Sequence, residues 1–178
     1  MTSNNARLAA ILIAILAATA LRLLPHPPNF TPIGAMALFG GAYLGRRPLA
    51  FLAPLGALFV SDALIGFYPG MAFTYLAVAL IVLVGWALRA RVSLVRVGTA
   101  AIASSVLFFI VSNFGTWLSS GMYPRDLSGL AACYVAAIPF FQNTLAGDLA
   151  FSALLFGGFA LLQRGVPALR DQGAPQPA

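Results

Sequence analysis

Apolar residues dominate the chain in six long stretches, and short segments rich in arginine, proline or glycine separate these stretches. A helix of about 20 apolar residues crosses the hydrocarbon core of a bilayer. The pattern therefore predicts an all-α integral membrane protein whose single transmembrane domain comprises residues 1–164. The six predicted spans are residues 7–24, 32–45, 48–67, 71–89, 96–119 and 144–164.

Two segments outside these spans differ from them in composition. Residues 120–143 lie between the fifth and sixth spans, begin with polar residues and contain four aromatic residues. Loops longer than about 12–15 residues in compact domains are often functional lids. We therefore expect this outer loop to form either a lid over a ligand or a helix in the membrane interface. Residues 165–178 are rich in proline, glycine and glutamine, which predicts a disordered cytoplasmic tail.

The composition agrees with lipid as the main solvent of the chain. Hydrophobic residues make up 61% of the sequence and charged residues 8%, whereas soluble domains contain about 25% charged residues. The net charge of +6 comes from arginines that fall in loops and at helix ends. This distribution is typical of membrane orientation and does not indicate nucleic-acid binding.

The distribution of arginine between the two sides predicts the topology. Cytoplasmic loops carry an excess of basic residues, and eight of the ten arginines share one side if the amino terminus is cytoplasmic. Those eight are Arg7, Arg46, Arg47, Arg89, Arg91, Arg96, Arg164 and Arg170. Arg22 and Arg125 lie on the other side. We therefore expect both termini in the cytoplasm and the protein in the inner (cytoplasmic) membrane of the cell.

Polar side chains concentrate at the outer ends of the predicted spans, whereas the inner halves contain mainly small and apolar residues. Ionisable residues within a membrane usually face the protein interior and pair with one another. So many polar groups at one depth predict a substrate-binding cavity that opens to the extracytoplasmic side. The predicted binding residues are Arg22, His26, Asn29, Asp62, Asn113, Trp117, Cys133, Asn143 and Asp148.

A structural role is the alternative for the two aspartates in these spans. Asp62 or Asp148 can pair with Arg22 as a lock between helices. Either carboxylate can also cap a helix amino terminus, where the helix dipole stabilises a negative charge. An ion pair between helices needs fewer polar groups than the outer ends of the spans contain. The number of polar residues therefore favours ligand binding for the cluster as a whole.

Cys133 is the one cysteine of the chain, and it allows two interpretations. It is either a small buried hydrophobic residue or a thiol that faces the cavity and coordinates a soft metal, such as the cobalt of a corrinoid ligand. No resident cofactor or metal is predicted, because the sequence has no P-loop, no zinc-ligand spacing and no haem motif.

The first span carries a stripe of small residues. Ala10, Ala14 and Ala18 recur every fourth residue, which places them on one face of a helix. Small residues at this spacing let two helices approach closely. The stripe therefore predicts contact with another helix, either within the fold or from a partner subunit.

Two segments carry a resemblance to a known family. Residues 27–66, which begin "PPNFTPIGAM", are similar to the proline-rich first loop and the next two helices of biotin-type S-components of energy-coupling factor transporters. Residues 138–155, "IPFFQNTLAGDLAFSALL", are similar to the Pro-Phe…Gly-Asp start of their last helix. Asn29-Phe30-Thr31 stands where a Thr-x-Gln motif is expected, so the resemblance does not identify the ligand. The motifs "SNFGTW", "CYVAAIPFFQN" and "GDLAF" are also similar to an uncharacterised family of bacterial integral membrane proteins.

The S-component resemblance implies a function and a partner. S-components are small membrane proteins that capture vitamins, which implies a vitamin-like or cofactor-precursor substrate. It also implies a coupling transmembrane subunit with ATPases, which the stripe Ala10, Ala14 and Ala18 would contact. Without such a partner, the protein would act alone as a facilitator.

Two other classes of protein compete with this interpretation. Intramembrane aspartyl proteases resemble the chain in using two aspartates, for which Asp62 and Asp148 are the candidates. However, Asp148 follows Leu145-Ala146-Gly147 and so lacks the first glycine of the Gly-x-Gly-Asp motif. A structural or assembly subunit is the other rival, and it predicts a fully paired polar cluster without a cavity. We therefore predict a protein that is not an enzyme.

Overall fold

The computed structural model describes residues 3–45 and 48–170, and these residues form α-helices connected by short loops, with no β-strand among them. Arg46 and Arg47 of the predicted cytoplasmic loop therefore lie outside the described residues. The helices are α1 (Ser3–Arg22), α2 (Ile33–Leu44), α3 (Leu49–Ile65), α4 (Met71–Trp86), α5 (Leu94–Ser119), α6 (Leu127–Ser152) and α7 (Gly158–Gly165). A π-helical segment (Ala153–Gly157) joins α6 to α7, and a 3-10 turn (Pro167–Leu169) follows α7.

Three helical segments are long and apolar enough to cross a membrane: Asn5–Arg22, Leu94–Ser119 and Leu127–Gly165. The other three, α2, α3 and α4, are apolar and shorter. The all-helical prediction is thus confirmed, and the described chain contains six helical rods when α6, the π-helical segment and α7 are taken as one. The number of membrane crossings stays a prediction.

The short helix α2 occupies the centre of the bundle. Eleven of its twelve residues are buried, and it contacts each of the five other rods. Its closest neighbour is α4, because Gly41 and Gly85 let the two backbones touch: a Cβ on Gly85 would lie 3.0 Å from the Cα of Gly41. On the other side of α2, the rings of Phe39 and Phe156 meet edge to face, with centroids 5.3 Å apart.

The last rod begins earlier than the sequence predicts. Helix α6 starts at Leu127, so the prediction of an outer loop or lid over residues 120–143 is wrong for residues 127–143. Asp126 caps the helix, since its carboxylate accepts a hydrogen bond of 2.7 Å from the Gly129 backbone N–H. That bond and one from a neighbouring serine hydroxyl hold the pKa of Asp126 below its ordinary value. Pro139 lies inside the same helix without ending it.

The predicted tail is partly ordered. The 3-10 turn packs against α1, and Leu169 is 7% exposed. Residues 165–170 therefore belong to the folded bundle, because the turn adds an apolar side chain to its core. Residues 171–178 of the predicted tail lie outside the described residues.

The alanine stripe of α1 faces the interior of the bundle. Ala18 is 3% exposed, and Ala10 and Ala14 pack against the buried core. The large side chains Ile13 and Leu16 point outward instead, with exposures of 64% and 61%. The structure thus favours the alternative in which the stripe packs within the fold, and Ala18 has almost no surface to offer a partner helix.

Candidate functional site

A cavity of about 410 Å³ lies at one end of the bundle, where α1 and α3 end and α2 and α4 begin. Helices α5 and α6 complete its wall. Five of the nine predicted binding residues line it: Arg22, His26, Asn29, Asn113 and Asp148. These five predicted residues therefore lie together at one end of the helices, and we refer to this space as the Asp148 cavity.

Asp148 lies on α6 with its carboxylate directed at the start of α2. The side chain is 2% exposed, and its Oδ2 accepts a hydrogen bond of 2.7 Å from the Ser105 hydroxyl on α5. A Cβ on Gly34 would overlap the carboxylate, and the Ala35 backbone N–H is a further hydrogen-bond neighbour. The N-cap residue of α2, Pro32, forms no side-chain capping bond, and the Asp148 carboxylate lies at the end of α2 where the helix dipole favours a negative charge.

Arg22 and Asp62 form an ion pair between helices, which is the structural lock that we considered for either aspartate. Arg22 Nη2 lies 2.6 Å from Asp62 Oδ1, and Arg22 Nη1 donates to the Ser61 hydroxyl. The other oxygen of Asp62 accepts a hydrogen bond of 2.9 Å from the Tyr75 hydroxyl. Among the described residues, Asp148 has no ion pair with Arg22. The two aspartates thus have different roles, and Asp62 connects α3 to α1 and α4 without lining the cavity.

Hydroxyl and amide groups of α5 line the cavity with Asp148, and each of them donates one hydrogen back into its own helix. Ser112 donates to the Phe108 carbonyl at 2.6 Å, and Thr116 donates to the Ser112 carbonyl at 3.1 Å. The side-chain nitrogen of Asn113 donates to the Phe109 carbonyl at 2.8 Å. Each group therefore keeps oxygen lone pairs for the cavity.

The loop between α1 and α2 also contributes to the lining of the cavity. His26 is exposed, and its two ring nitrogens lie 2.9 Å and 3.2 Å from the backbone oxygens of Pro27 and Arg22. Asn29 adopts a left-handed conformation with φ of 62°, which asparagine tolerates better than most residues. Tyr68, in the neighbouring loop, also lines the cavity, and partial burial raises the pKa of its phenol above the ordinary value.

Three other predicted binding residues do not line the cavity. Trp117 Nε1 donates to a carbonyl of the loop between α5 and α6. The Cys133 thiol is buried against α5 and donates to the Asn113 backbone carbonyl at 3.5 Å. Asn143 donates to a carbonyl of the loop between α1 and α2. Each side chain is engaged with backbone, and the structure supports the buried interpretation of Cys133 over a metal ligand in the cavity.

Several polar residues of this region were absent from the predicted set. Ser105 binds Asp148, Tyr75 binds Asp62, and Thr144 lines the cavity one turn before Asp148. The available signal was the position of each polar residue inside an otherwise apolar helix. The pairing of these residues could not be predicted from the sequence, because partners such as Ser105 and Asp148 are 43 residues apart in the chain.

A second cavity, of about 420 Å³, lies at the opposite end of α2. The last residues of α2 line it together with Arg7, Arg89 and Gln163. Helix α2 therefore has a polar cavity at each end, and its twelve residues correspond to a length of about 18 Å at ~1.5 Å per residue. In the part of the chain that the structure describes, no three His, Cys, Asp or Glu side chains cluster as metal ligands.

These features define an all-helical bundle with an apolar exterior and a polar cavity at each end of a buried central helix. The chain belongs to a family of unknown function (DUF6580), whose family model matches residues 2–169. No curated protein and no solved structure matches the chain significantly. The resemblance to S-components therefore stays a prediction.

Proposed function

We propose that the protein is an integral membrane protein that binds a small molecule in the Asp148 cavity and delivers it for transport. The ligand class we propose is a vitamin-like molecule or a cofactor precursor, taken up from the extracytoplasmic side. The protein acts in the manner of an S-component, with a coupling subunit and its ATPases, or else alone as a facilitator.

Residence in a membrane is supported by the exterior of the bundle. Large apolar side chains on several helices face outward, among them Leu52, Leu64 and Leu161 with exposures of 64%, 69% and 64%. Water-soluble proteins rarely expose contiguous apolar surface on this scale, whereas lipid solvates it. The three long apolar helices supply the length that a crossing requires.

The observation that carries the binding proposal is the cavity itself. Its volume of about 410 Å³ falls within the range of about 300–1,000 Å³ that is typical of small-molecule sites. Phe108 and Phe109 line it together with polar residues of α5 and α6. A purely structural subunit would bury its polar groups in pairs and leave no such space, so the cavity favours a ligand.

An aspartyl protease receives less support from the same geometry. Its mechanism requires two carboxylates close enough to share a proton. Here Asp62 is bound by Arg22 and Tyr75, whereas Asp148 is bound by Ser105. The two aspartates thus have separate partners, and Asp62 does not line the cavity.

The topology has a direct test. Arg91 and Arg125 lie beyond opposite ends of α5, and we expect Arg91 on the cytoplasmic face and Arg125 on the outer face. Single cysteines placed at these positions in a Cys133→Ala background can be labelled with a membrane-impermeant reagent. Labelling of position 125 from outside intact cells, and of position 91 after permeabilisation, is the expected result. The reverse pattern would place the Asp148 cavity on the cytoplasmic side.

The binding role of Asp148 is tested by Asp148→Asn. The fold should persist, because the new amide can donate to Ser105, whose own hydroxyl hydrogen can go to the Ala101 carbonyl 3.0 Å away. Affinity for the ligand should fall by about 1.5–3 kcal/mol, the contribution of a hydrogen bond to a charged group. The measurement is mass spectrometry of small molecules that co-purify with each variant in detergent.

Asp126→Asn provides the matched control for this experiment. The substitution is the same, the residue lies outside the cavity, and asparagine caps a helix as well as aspartate does. Recovery of the co-purified molecule should drop for Asp148→Asn and stay at the wild-type level for Asp126→Asn. Equal recovery from both folded variants would refute ligand binding by Asp148.

A further inference from the structure

The polar side chains on α5 and α6 that line the Asp148 cavity share one chemical property. Each presents at least one oxygen acceptor, and each hydroxyl among them donates its hydrogen to the protein. We call this set the acceptor wall. It comprises Ser112, Asn113, Thr116, Thr144 and Asp148.

The hydrogen bonds of the acceptor wall show how its donors are used. The hydroxyls of Ser112, Thr116 and Thr144 all donate to the carbonyl four residues earlier in their own helix. Asn113 donates through its nitrogen in the same way, and its side-chain oxygen accepts no hydrogen bond from a described residue. Asp148, as a carboxylate, can only accept. The wall therefore offers lone pairs to whatever occupies the cavity.

The strongest donors near the cavity, Arg22 and His26, both contact protein acceptors. Arg22 donates to Ser61 and contacts Asp62, so that its positive charge is balanced within the lock. Both ring nitrogens of His26 lie against backbone carbonyls. A ligand with acceptors of its own, such as a carboxylate or phosphate, would place its oxygens against the oxygens of the wall. The charge of Arg22 is already balanced by Asp62, so no further cation would offset that repulsion.

We infer that the ligand of the Asp148 cavity is a hydrogen-bond donor of the amine class, carrying an ammonium or similar nitrogen cation on a partly apolar body. The Asp148 carboxylate and the oxygens of α5 accept from the nitrogen, and the rings of Phe108 and Phe109 pack against the apolar part and also favour a cation. This inference rests on the proposed function and narrows it to one ligand class.

Three probes of similar size separate charge from shape: 2-phenylethylamine, 2-phenylethanol and phenylacetate. Their binding to the purified protein in a non-ionic detergent can be measured by calorimetry. We expect the amine to bind at least about tenfold more tightly than the carboxylate, because one charge-assisted hydrogen bond is worth about that factor or more. The alcohol should fall between them.

Variants identify the residue responsible for this preference. Asp148→Asn should reduce binding of the amine by about tenfold or more, because the ammonium loses its charged partner. Binding of the alcohol should change little, because the alcohol is uncharged and can donate to the new amide oxygen. Asp126→Asn should leave all three affinities unchanged. Ser112→Ala, a milder change in the same wall, should weaken the amine by a smaller factor and tests the wall independently of Asp148.

The possible outcomes distinguish this inference from the proposed function. If phenylacetate binds as tightly as the amine, or if Asp148→Asn weakens all three probes alike, the amine class is refuted while small-molecule binding stands. If none of the probes binds at millimolar concentration, both the inference and the binding function of this cavity fail. A preference for the amine that Asp148→Asn abolishes supports both.

Discussion

Asp62→Asn is expected to destabilise the protein by about 3–5 kcal/mol, the typical cost of removing one partner of a buried ion pair. Asp62 is fully buried and Arg22 is 9% exposed, so the guanidinium would keep its charge with no counter-charge nearby. The Tyr75 hydroxyl would keep an acceptor in the amide oxygen, which confines the loss to the ion pair. Unfolding in mixed micelles, followed by circular dichroism, measures the effect.

The double variant Asp62→Asn/Arg22→Gln tests whether the charge pair is responsible. It removes both charges, and neutral replacement of a buried pair is much less costly than breaking it. The double variant should therefore be more stable than Asp62→Asn alone. If the two substitutions instead destabilise additively, Arg22 and Asp62 do not couple and the lock between α1 and α3 has no energetic importance.

Gly85→Ala is expected to have the next largest effect. The new methyl group would overlap the Leu38 carbonyl and lie 3.0 Å from the Cα of Gly41, so the central helix α2 and α4 would have to separate. Overpacking of this kind costs about 1–3 kcal/mol, and more where backbone must move. The change should appear as a lower melting temperature in detergent.

Gly98→Ala is the matched control for that measurement. Gly98 also lies inside a long helix, but apart from the local backbone of that helix no atom lies within 4 Å of the position that its Cβ would occupy. Alanine there should stabilise the helix by about 0.5–1 kcal/mol, because glycine loses more conformational freedom on folding. Destabilisation by both substitutions to a similar extent would contradict the close packing of α2 on α4.

The pattern of apolar stretches predicted most of the helices. The first predicted span, 7–24, lies close to α1 at Ser3–Arg22, and the fifth, 96–119, lies close to α5 at Leu94–Ser119. The main error concerned residues 127–143, because the polar start of residues 120–143 argued against a helix continuous with the last span. Packing of α6 against α5 keeps that helix continuous, and such a contact between distant segments is invisible in a single sequence.

The candidate site was predictable in position and not in detail. The position of a residue along its predicted span is determined by helix direction and loop position. This position alone placed Arg22 and the two aspartates at the same end of the helices. The same information could not predict which aspartate pairs with Arg22, because that depends on how the helices are rotated about their axes. In the structure the partner is Asp62. The direction of the Thr144 hydroxyl toward its own helix depends likewise on side-chain rotamers.

The burial of α2 between two cavities has an electrical consequence. With solvent in both cavities, a membrane voltage would fall across the ~18 Å of this helix instead of the ~30 Å of the whole hydrocarbon core. The helix dipole corresponds to about half an elementary charge at each end. In the proposed orientation the positive end of α2 faces outward. Each 100 mV of inside-negative voltage therefore makes the energy of the helix dipole less favourable by about 1.2 kcal/mol, half the value for a full charge. An energised membrane would therefore disfavour this orientation of α2 and favour states in which the helix is tilted or shortened, and a de-energised membrane would remove that bias.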